Sequence, residues 1–291
     1  PSKVRHIFFC GTGFSSQIGK ILASFSPLLF DVPFEIIDSF RLPKYADKNS
    51  LLIISSFLGK DLQSNSVYQE AIAKKCPTIV ITSGGKIRDL ALENHTPLIV
   101  LEDKSLNPQT DSSSIFAIIG AVLGILTRLS PSSNQYFHSP SLVQTLEKTV
   151  DQYRREIDTV DNPAKTLAQK HKGLGVIFMG SAHLYGVGQT ASHFLLHSSK
   201  TYSTSISQLD LTSFPVDFKN QNQFILLNSN LYPKQTQEIF DNAKEKLLSQ
   251  KYRLTVIKPD AAEIANQALE TLVFLVFFSY YLSIVNQINP S

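Results

Sequence analysis

Short apolar runs alternate with turns and amphipathic helices along the chain, and this alternation limits the possible folds more than any other feature. In the N-terminal part the apolar runs read VRHIFFC, LLIIS, TIVITS and LIVL, and helical spacing of apolar residues follows the first three. Two parallel strands need a crossover connection, which a helix usually supplies. The sequence therefore predicts an α/β fold with a doubly wound parallel sheet over about the first 105 residues.

The same order starts again in the second part of the chain. GVIFMGSAHLYG repeats the strand, turn and helix of HIFFCGTGFSS, and the runs FILLNS and RLTVIK continue the pattern. We therefore expect two related halves, each doubly wound around a parallel sheet. The predicted boundaries are an N-terminal domain at 1–130, an inter-domain linker and helix at 131–160, and a C-terminal domain at 161–291.

Composition and charge exclude some classes of partner. Of the 291 residues, 43% are hydrophobic and 18% are charged, which is typical of a soluble globular protein. The net charge of +3 comes from scattered lysines and arginines, with no basic stripe interleaved with aromatic residues. We therefore expect no binding of nucleic acid.

Cysteine usage and the first residues bear on the compartment. Cys10 and Cys76 each stand alone among apolar neighbours without the spacing of metal ligands, which predicts two buried, hydrophobic side chains. The opening residues PSKVRH lack the apolar stretch of a secretory signal. Together these features predict a cytoplasmic protein.

One segment, TLVFLVFFSYYLSIV at 271–285, is apolar enough to suggest a membrane span. A span needs about 20 apolar residues, and polar side chains bound this shorter run on both sides. We therefore expect no membrane insertion. A helix that is apolar all round is instead typical of a protein core or of a contact with a partner subunit.

Four turns follow predicted strands, and in open α/β sheets ligands bind at the carboxyl ends of the strands. The turns are GTGFSS at 11–16, SSFLGKD at 55–61, TSGGK at 82–86 and GSAHLYG at 180–186. Glycine, hydroxyl and helix N–H groups together suit a phosphate or similar small anion, although glycine and serine also mark any tight connection. The predicted binding residues are Gly11, Thr12, Gly13, Ser15, Ser16, Ser56, Ser83, Gly84, Gly85 and Lys86. Neither a dinucleotide fingerprint nor a Walker loop is present.

Several stretches resemble one known family. TSGGKIRDLALENHTPLIVL, IIGAVLGIL, DNPAKTLAQ and FFSYYLSIVNQINP are similar to elements of the bifunctional phosphoglucose/phosphomannose isomerases, whose two halves are sugar isomerase (SIS) domains. The resemblance implies two SIS-type domains with a sugar phosphate bound between them, and a homodimer with the 271–285 helix near its interface. It also implies aldose–ketose isomerisation through an enediol, without a metal or other cofactor.

The functional positions of that family differ in this chain. Phe14 replaces the second glycine of the first loop, and Leu58 and Asp61 replace hydroxyl residues of the second. The family's arginine, which stabilises developing charge, aligns with Ser112, and its glutamate base aligns with His197. Its histidine, which assists ring opening, aligns at or next to residue 213. The resemblance therefore implies isomerase activity that is weak or lost.

Asp61 is the most informative of these differences. A carboxylate at a helix start accepts free backbone N–H groups and stabilises the helix by about 0.5–2 kcal/mol. Here it also stands where the family's phosphate binds, and it would repel that group. Lys60 would offset part of the repulsion if it turned inward, although a lysine at a rim is usually solvated. We therefore expect Asp61 to cap a helix and to weaken the phosphate site.

The histidines leave alternatives open. His197 is the candidate catalytic base because imidazole titrates near neutral pH, but HFLLHSSK also reads as an ordinary helix end. His193 and His197 have the four-residue spacing of a metal pair, yet no acidic partner stands on that helix, so no metal is predicted. His183 lies in a strand-end turn, with a ligand or a structural role open to it. Two functions remain: a sugar-phosphate-binding isomerase relative, or a non-catalytic SIS sensor or scaffold.

Overall fold

The computed structural model describes residues 4–101, 114–129, 139–155, 162–207 and 222–289. The chain divides into two compact units, residues 1–135 and 136–291. Among the described residues, each unit contains one parallel sheet with helices between its strands. The predicted α/β fold with two parallel sheets is therefore confirmed.

The first unit contains a five-stranded parallel sheet in the order β2-β1-β3-β4-β5. Because the chain leaves β1 toward one edge and returns to β3 on the other side, the order reverses between β1 and β3. The elements are β1 (His6–Gly11), α1 (Phe14–Leu29), β2 (Phe34–Ile37), β3 (Ser50–Ser55), α2 (Leu62–Ala73), β4 (Thr78–Thr82), α3 (Gly85–Glu93), β5 (Leu98–Val100) and α4 (Ile115–Leu129). The edge strand β2 is not predicted by the apolar pattern.

Both cysteines lie in the core of the first unit, as predicted. Cys10 is fully buried at the end of β1, and burial, with a smaller contribution from the charge of Asp61, raises the pKa of its thiol to about 12. Cys76 is 4% exposed, its Sγ lies 3.0 Å from the carbonyl oxygen of Ser50, and burial raises its pKa to about 11. Thiols with such pKa values are protonated at neutral pH and unreactive.

The second unit contains a four-stranded parallel sheet in the order β7-β6-β8-β9 among the described strands. Here the strand order reverses between β6 and β8. The elements are α5 (Ser139–Arg155), α6 (Pro163–Lys170), β6 (Gly175–Gly180), α7 (Ala182–Ser198), β7 (Ser203–Ser207), β8 (Asn222–Leu227), α8 (Lys234–Ser249), β9 (Arg253–Ile257) and α9 (Ile264–Val285). The half-exposed edge strand β7 is also absent from the predicted strands.

The apolar helix α9 is longer than the sequence analysis allowed. It begins at Ile264 and has 22 residues, so the argument that it is too short for a membrane span is wrong. It is the one helix among the described residues that could cross a membrane by length and composition. It packs against α5, α6 and α7 within its own unit, however, and Leu272, Leu275 and Phe278 are almost completely buried there. This packing is that of a core helix.

Candidate functional site

The reversal point between β1 and β3 brings several predicted residues together. Ligands of open parallel sheets bind at such points, beyond the carboxyl ends of the two strands. The Ser55 hydroxyl at the end of β3 donates to the Ser15 hydroxyl in the first turn of α1, with 3.3 Å between the oxygens. Both serines are buried. A Cβ on Gly11 would lie 2.9 Å from Ser15 Cβ, so glycine permits this close approach.

The turn that leads into α1 is open to an anion in one respect. Thr12 and Gly13 form this turn, and the Thr12 carbonyl accepts the Ser15 amide at 3.0 Å. Gly13 is the N-cap residue with a φ of 56°, and among the described residues no side chain caps the helix. Among the described residues no capping carboxylate therefore stands at the positive end of the α1 dipole, although the Ser15 amide is already bonded to the Thr12 carbonyl.

Asp61 caps α2 at the same edge of the sheet, as predicted. Its Oδ1 accepts the backbone amide of Ser64 at 2.7 Å. Its Oδ2 accepts the hydroxyl of Ser56, one of the predicted phosphate-binding residues. The carboxylate thus accepts both the Ser64 amide and the Ser56 hydroxyl. Lys60 beside it is exposed. The loop after β3 therefore carries an acidic side chain that is bonded to its own backbone and hydroxyl groups.

Two further predicted hydroxyls also donate to backbone carbonyls. Ser16 Oγ donates to the carbonyl oxygen of Gly13 at 2.8 Å, and Ser83 Oγ donates to that of Phe57 at 2.7 Å. A hydroxyl has one proton to donate. A ligand phosphate would therefore have to replace these bonds as well as the bond between Ser56 and Asp61.

The glycines of TSGGK serve to pack two loops together. Gly59, in the loop after β3, and Gly85, at the start of α3, both have positive φ values, 65° and 75°. A Cβ on Gly85 would lie 2.2 Å from the Leu58 carbonyl oxygen, so the backbones touch directly. The amide of Ile87 in the first turn of α3 donates to the Gly59 carbonyl at 3.1 Å. Gly84 belongs to the same contact, and Lys86 is exposed.

The second unit holds a buried polar cluster at its own reversal point, between β6 and β8. Gln267 of α9 is its centre: its Oε1 lies 3.1 Å from His183 Nε2 and accepts the Ser229 hydroxyl at 2.6 Å. Its Nε2 donates to Asn230 Oδ1 at 2.7 Å. The Tyr232 hydroxyl accepts the Ser181 amide at 3.2 Å. GSAHLYG is not a turn as predicted: from Ala182 onward it is helical, so His183 lies in the first turn of α7. The start of α7 is thus joined to the turn after β8 and to α9.

Burial controls the protonation of this cluster. His183 is 1% exposed, and burial lowers the pKa of its imidazole, which the hydrogen bond with Gln267 opposes in part. Burial also raises the pKa of Tyr232 above its usual range. Both groups are therefore neutral near pH 7. A neutral, hydrogen-bonded cluster positions the three segments and can meet a polar ligand without bringing a charge to it.

Comparisons with known proteins find similarity to bacterial sugar-phosphate isomerases. The family described as "Bacterial phospho-glucose isomerase C-terminal SIS domain" matches residues 160–291. A bifunctional phosphoglucose/phosphomannose isomerase from Caldicellulosiruptor bescii is 27% identical over 167 residues, which cover 57% of this chain and 48% of that protein. The chain is therefore similar to bifunctional phosphoglucose/phosphomannose isomerases over part of its length. A second such isomerase, from Aquifex aeolicus, is 31% identical over 90 residues, which cover 31% of this chain and 28% of that protein.

Solved structures share the fold of this chain. Glucosamine-6-phosphate deaminase from Thermotoga maritima superposes with a TM-score of 0.74 and 16% identity, over 99% of this chain and 88% of that one. Tagatose-6-phosphate ketose/aldose isomerase from Escherichia coli superposes with a TM-score of 0.74 and 15% identity, over 99% and 84%. The aligned region spans about half or less of the curated isomerases that the chain matches.

The predicted catalytic residue, His197, lies away from the reversal point of its own sheet. His197 is exposed in the last turn of α7. Because a crossover helix runs opposite to its strands, this end of α7 lies at the amino edge of the sheet, and Ser181 lies at the carboxyl edge. The rings of His193 and His197 are 4.2 Å apart between centroids. In the described ranges no group of three or more metal-ligating side chains occurs.

Two aligned positions fall outside the described residues, and one central residue escaped the sequence analysis. Ser112 and Ser213, the positions of the family's arginine and histidine, are not described. Gln267 was missed because it precedes the apolar run at 271–285. Asn266 and Gln267 form a polar pair inside a longer apolar helix, and both side chains are buried. Such a pair is the signal that would have indicated a buried polar cluster.

Proposed function

We propose that this chain is a phosphosugar isomerase relative, similar to glucose-6-phosphate and mannose-6-phosphate isomerases, that binds a sugar phosphate or a similar small anion with weak or lost isomerase activity. The proposed binding residues are those of the β1–β3 reversal point. The observation that carries the proposal is the Asp61 carboxylate, which caps α2 and accepts the Ser56 hydroxyl. It supports both a site of the family's type and a reduced affinity for phosphate.

The balance of charge favours weak binding. A phosphate dianion about 4 Å from Asp61 would be repelled by several kcal/mol at an effective dielectric constant near 20. The amide groups at the start of α1 attract an anion, but a helix N-terminus contributes only about 0.3–1 kcal/mol at an exposed site. Repulsion therefore exceeds attraction while Asp61 is ionised. A ligand with less negative charge than a phosphate dianion would lose less binding free energy to this repulsion.

Catalysis is expected to be weak for a separate reason. The family's arginine, glutamate and histidine positions align with Ser112, His197 and the region of Ser213. A general acid or base contributes typically 10²–10⁴-fold, and an electrostatic donor about 10²–10³-fold. Replacing all three removes most of the family's rate enhancement, although groups that act as a unit are not additive.

The test combines turnover with binding. A coupled assay on glucose 6-phosphate and mannose 6-phosphate should give rates far below those of a bifunctional isomerase of this family. In calorimetric titration with fructose 6-phosphate, Asp61→Thr and Asp61→Asn should bind at least about tenfold more tightly than the unmodified chain, because both lose the repelling charge. Equal affinity of all three proteins would mean that Asp61 does not face the ligand.

Asp47 provides a matched control for that titration. It stands before β3, at the opposite end of the strand from Asp61, and its Oδ1 also accepts a backbone amide, that of Asn49 at 2.8 Å. It lies at the amino edge of the sheet, away from the reversal-point loops. Asp47→Asn should therefore bind fructose 6-phosphate as the unmodified chain does. Tighter binding by this variant would point to a general effect of net charge.

A non-catalytic sensor or scaffold is the second candidate function. It is favoured by the hydrogen bonds that already engage the Ser16, Ser56 and Ser83 hydroxyls within the protein. Sugar-phosphate binding without measurable turnover would support a sensor, and turnover would exclude this candidate. The cytoplasmic location expected from the sequence stays a prediction.

A homodimer is proposed from the family resemblance. The apolar surface of α9 is accounted for largely by packing inside its own unit, with Tyr280 and Ile284 among its exposed residues. The dimer proposal therefore rests on the resemblance more than on this helix. A light-scattering mass near the 32.4 kDa of one chain at micromolar concentration would contradict it.

A further inference from the structure

The second unit contains a cavity of about 450 Å³ beside β9. Residues of α5, α6, β9 and α9 line it, and none of them belongs to the polar cluster around Gln267. Its volume lies in the range of small-molecule sites. Because its lining shares no residue with either reversal point, the following inference does not rest on the proposed function.

One wall of the cavity is the edge of a β-strand. Thr255, Val256 and Ile257 all line it, although consecutive strand residues point to opposite faces of a sheet. A cavity that touches three consecutive residues therefore lies along the strand edge. Among the described strands β9 has β8 as its one neighbour, so this edge presents backbone N–H and C=O groups.

A second wall carries a buried hydroxyl that lacks a partner. Thr271 of α9 lines the cavity and is 2% exposed, and its Oγ1 finds no hydrogen-bond partner among the described residues. Hydroxyls elsewhere on the same helix do find partners, as Ser283 Oγ donates to the Tyr280 carbonyl at 2.6 Å. Buried polar atoms are nearly always hydrogen-bonded. Threonine in a helix populates two χ1 rotamers, so the hydroxyl can turn toward a ligand.

The charges around the cavity favour an anion. Lys170 at the end of α6 and Lys258 after β9 line it, and in the described part of the chain neither forms an ion pair. Glu270 also lines it, but its carboxylate accepts the backbone amide of Ala261 at 3.1 Å. Two exposed ammonium groups thus stand against one carboxylate, and the charges of the described lining residues sum to +1.

We propose that this cavity binds a small polyhydroxylated anion, a sugar phosphate or a sugar acid. The lysines would hold the anionic group, and Thr271 with the edge of β9 would hydrogen-bond the hydroxyls. An aromatic wall completes the site: the rings of Tyr153 and Phe274 meet edge to face with 5.4 Å between centroids. Apolar walls with a few placed polar groups are typical of ligand pockets.

Calorimetric titration of the full chain tests the site with four probes: glucose 6-phosphate, gluconate, glucose and inorganic phosphate. The two anionic sugars should bind more tightly than glucose or phosphate, and the tighter of the two identifies the anionic group. Lys258→Met should weaken that binding by about tenfold and Thr271→Val by about threefold to tenfold. Lys246→Met, a change on α8 outside the cavity, should have no effect.

Thr271→Val separates a ligand role from a structural one. Valine has nearly the same shape and removes an unpartnered buried hydroxyl, so the midpoint of thermal unfolding should stay equal or rise while ligand affinity falls. The proposal would be overturned if neither Thr271→Val nor Lys258→Met changed the affinity, or if Asp61→Asn were the one variant that changed it. If the cavity variants alone changed the affinity, the cavity proposal would be upheld and the reversal-point proposal would fail independently.

Discussion

A Cβ atom on Gly59 would lie 1.8 Å from the carbonyl oxygen of Gly84. The loops after β3 and β4 therefore meet backbone to backbone, and no side chain fits between them. Hydrogen bonds of 2.9 Å from the Ser83 amide to the Phe57 carbonyl and 3.1 Å from the Ile87 amide to the Gly59 carbonyl join the same loops. A glycine motif that suggests phosphate binding thus has a structural cause in this chain.

Replacing Gly59 with alanine should strongly destabilise the first unit. The variant combines a positive φ of 65° with a clash against rigid backbone, and we expect a loss of about 2–4 kcal/mol in urea unfolding. Gly173→Ala is the matched control, because its φ is 69° and no described heavy atom lies within 4 Å of the added Cβ. It should lose about 1 kcal/mol. Similar losses for the two variants would contradict the steric explanation.

Changes at Asp61 should separate the cap from its charge. Asp61→Ala removes the acceptor of the Ser64 amide and the Ser56 hydroxyl, so we expect a loss of about 0.5–2 kcal/mol in the free energy of unfolding. Asp61→Asn keeps a good capping side chain and should stay within about 0.5 kcal/mol of the unmodified chain. Urea titration of both variants measures this. If alanine were harmless, the cap would contribute nothing to stability.

Gln267 should be costly to replace although it carries no charge. Gln267→Leu leaves His183, Ser229 and Asn230 without this buried partner, and we expect a loss of about 2–4 kcal/mol. The exposed Gln235→Leu on α8 is the control, since surface substitutions usually change stability by less than about 0.5 kcal/mol. Calorimetric unfolding of both variants would show the difference. Equal losses would mean that the cluster does not stabilise the second unit.

Acid should weaken the second unit through His171. The residue is completely buried, its Nδ1 lies 2.7 Å from the Leu167 carbonyl oxygen, and its Nε2 has no partner among the described residues. Burial lowers the pKa to about 4 from 6.5. The unfolded chain therefore binds the proton more readily between these values. The stability that neutral His171 contributes is fully present above pH 6.5. It falls as the pH drops toward 4, by about 3 kcal/mol in total.

His171→Asn tests this dependence. Asparagine places an amide donor near the position of Nδ1 but does not titrate, so the stability of the variant should fall less between pH 7 and pH 4.5. His183 contributes in the same direction, because burial also lowers its pKa, and it remains in both proteins. The difference between the two urea-unfolding curves at each pH therefore isolates His171. A difference that stays constant with pH would rule out the assignment.

Local features of the sequence predicted the central strands, the helices and the cap. β1, β3, β4, β6 and β8 are buried on both faces, and continuous apolar runs are the signature of such strands. The edge strands β2 and β7 are half-exposed and carry polar residues such as Glu35 and Ser203, so their pattern is weak. Asp61 was predictable because a helix cap depends on residues within one turn.

The sequence by itself determined two parallel α/β halves, the buried cysteines and the cap at Asp61. Only the tertiary structure decided that Ser55 meets Ser15 across forty residues, that Gly59 touches Gly84, and that Gln267 joins three segments of the second unit. The physical reason is the range of the interactions. Propensity, periodicity and capping act within a few residues, whereas the partner of a buried polar group is chosen by the packing of distant elements.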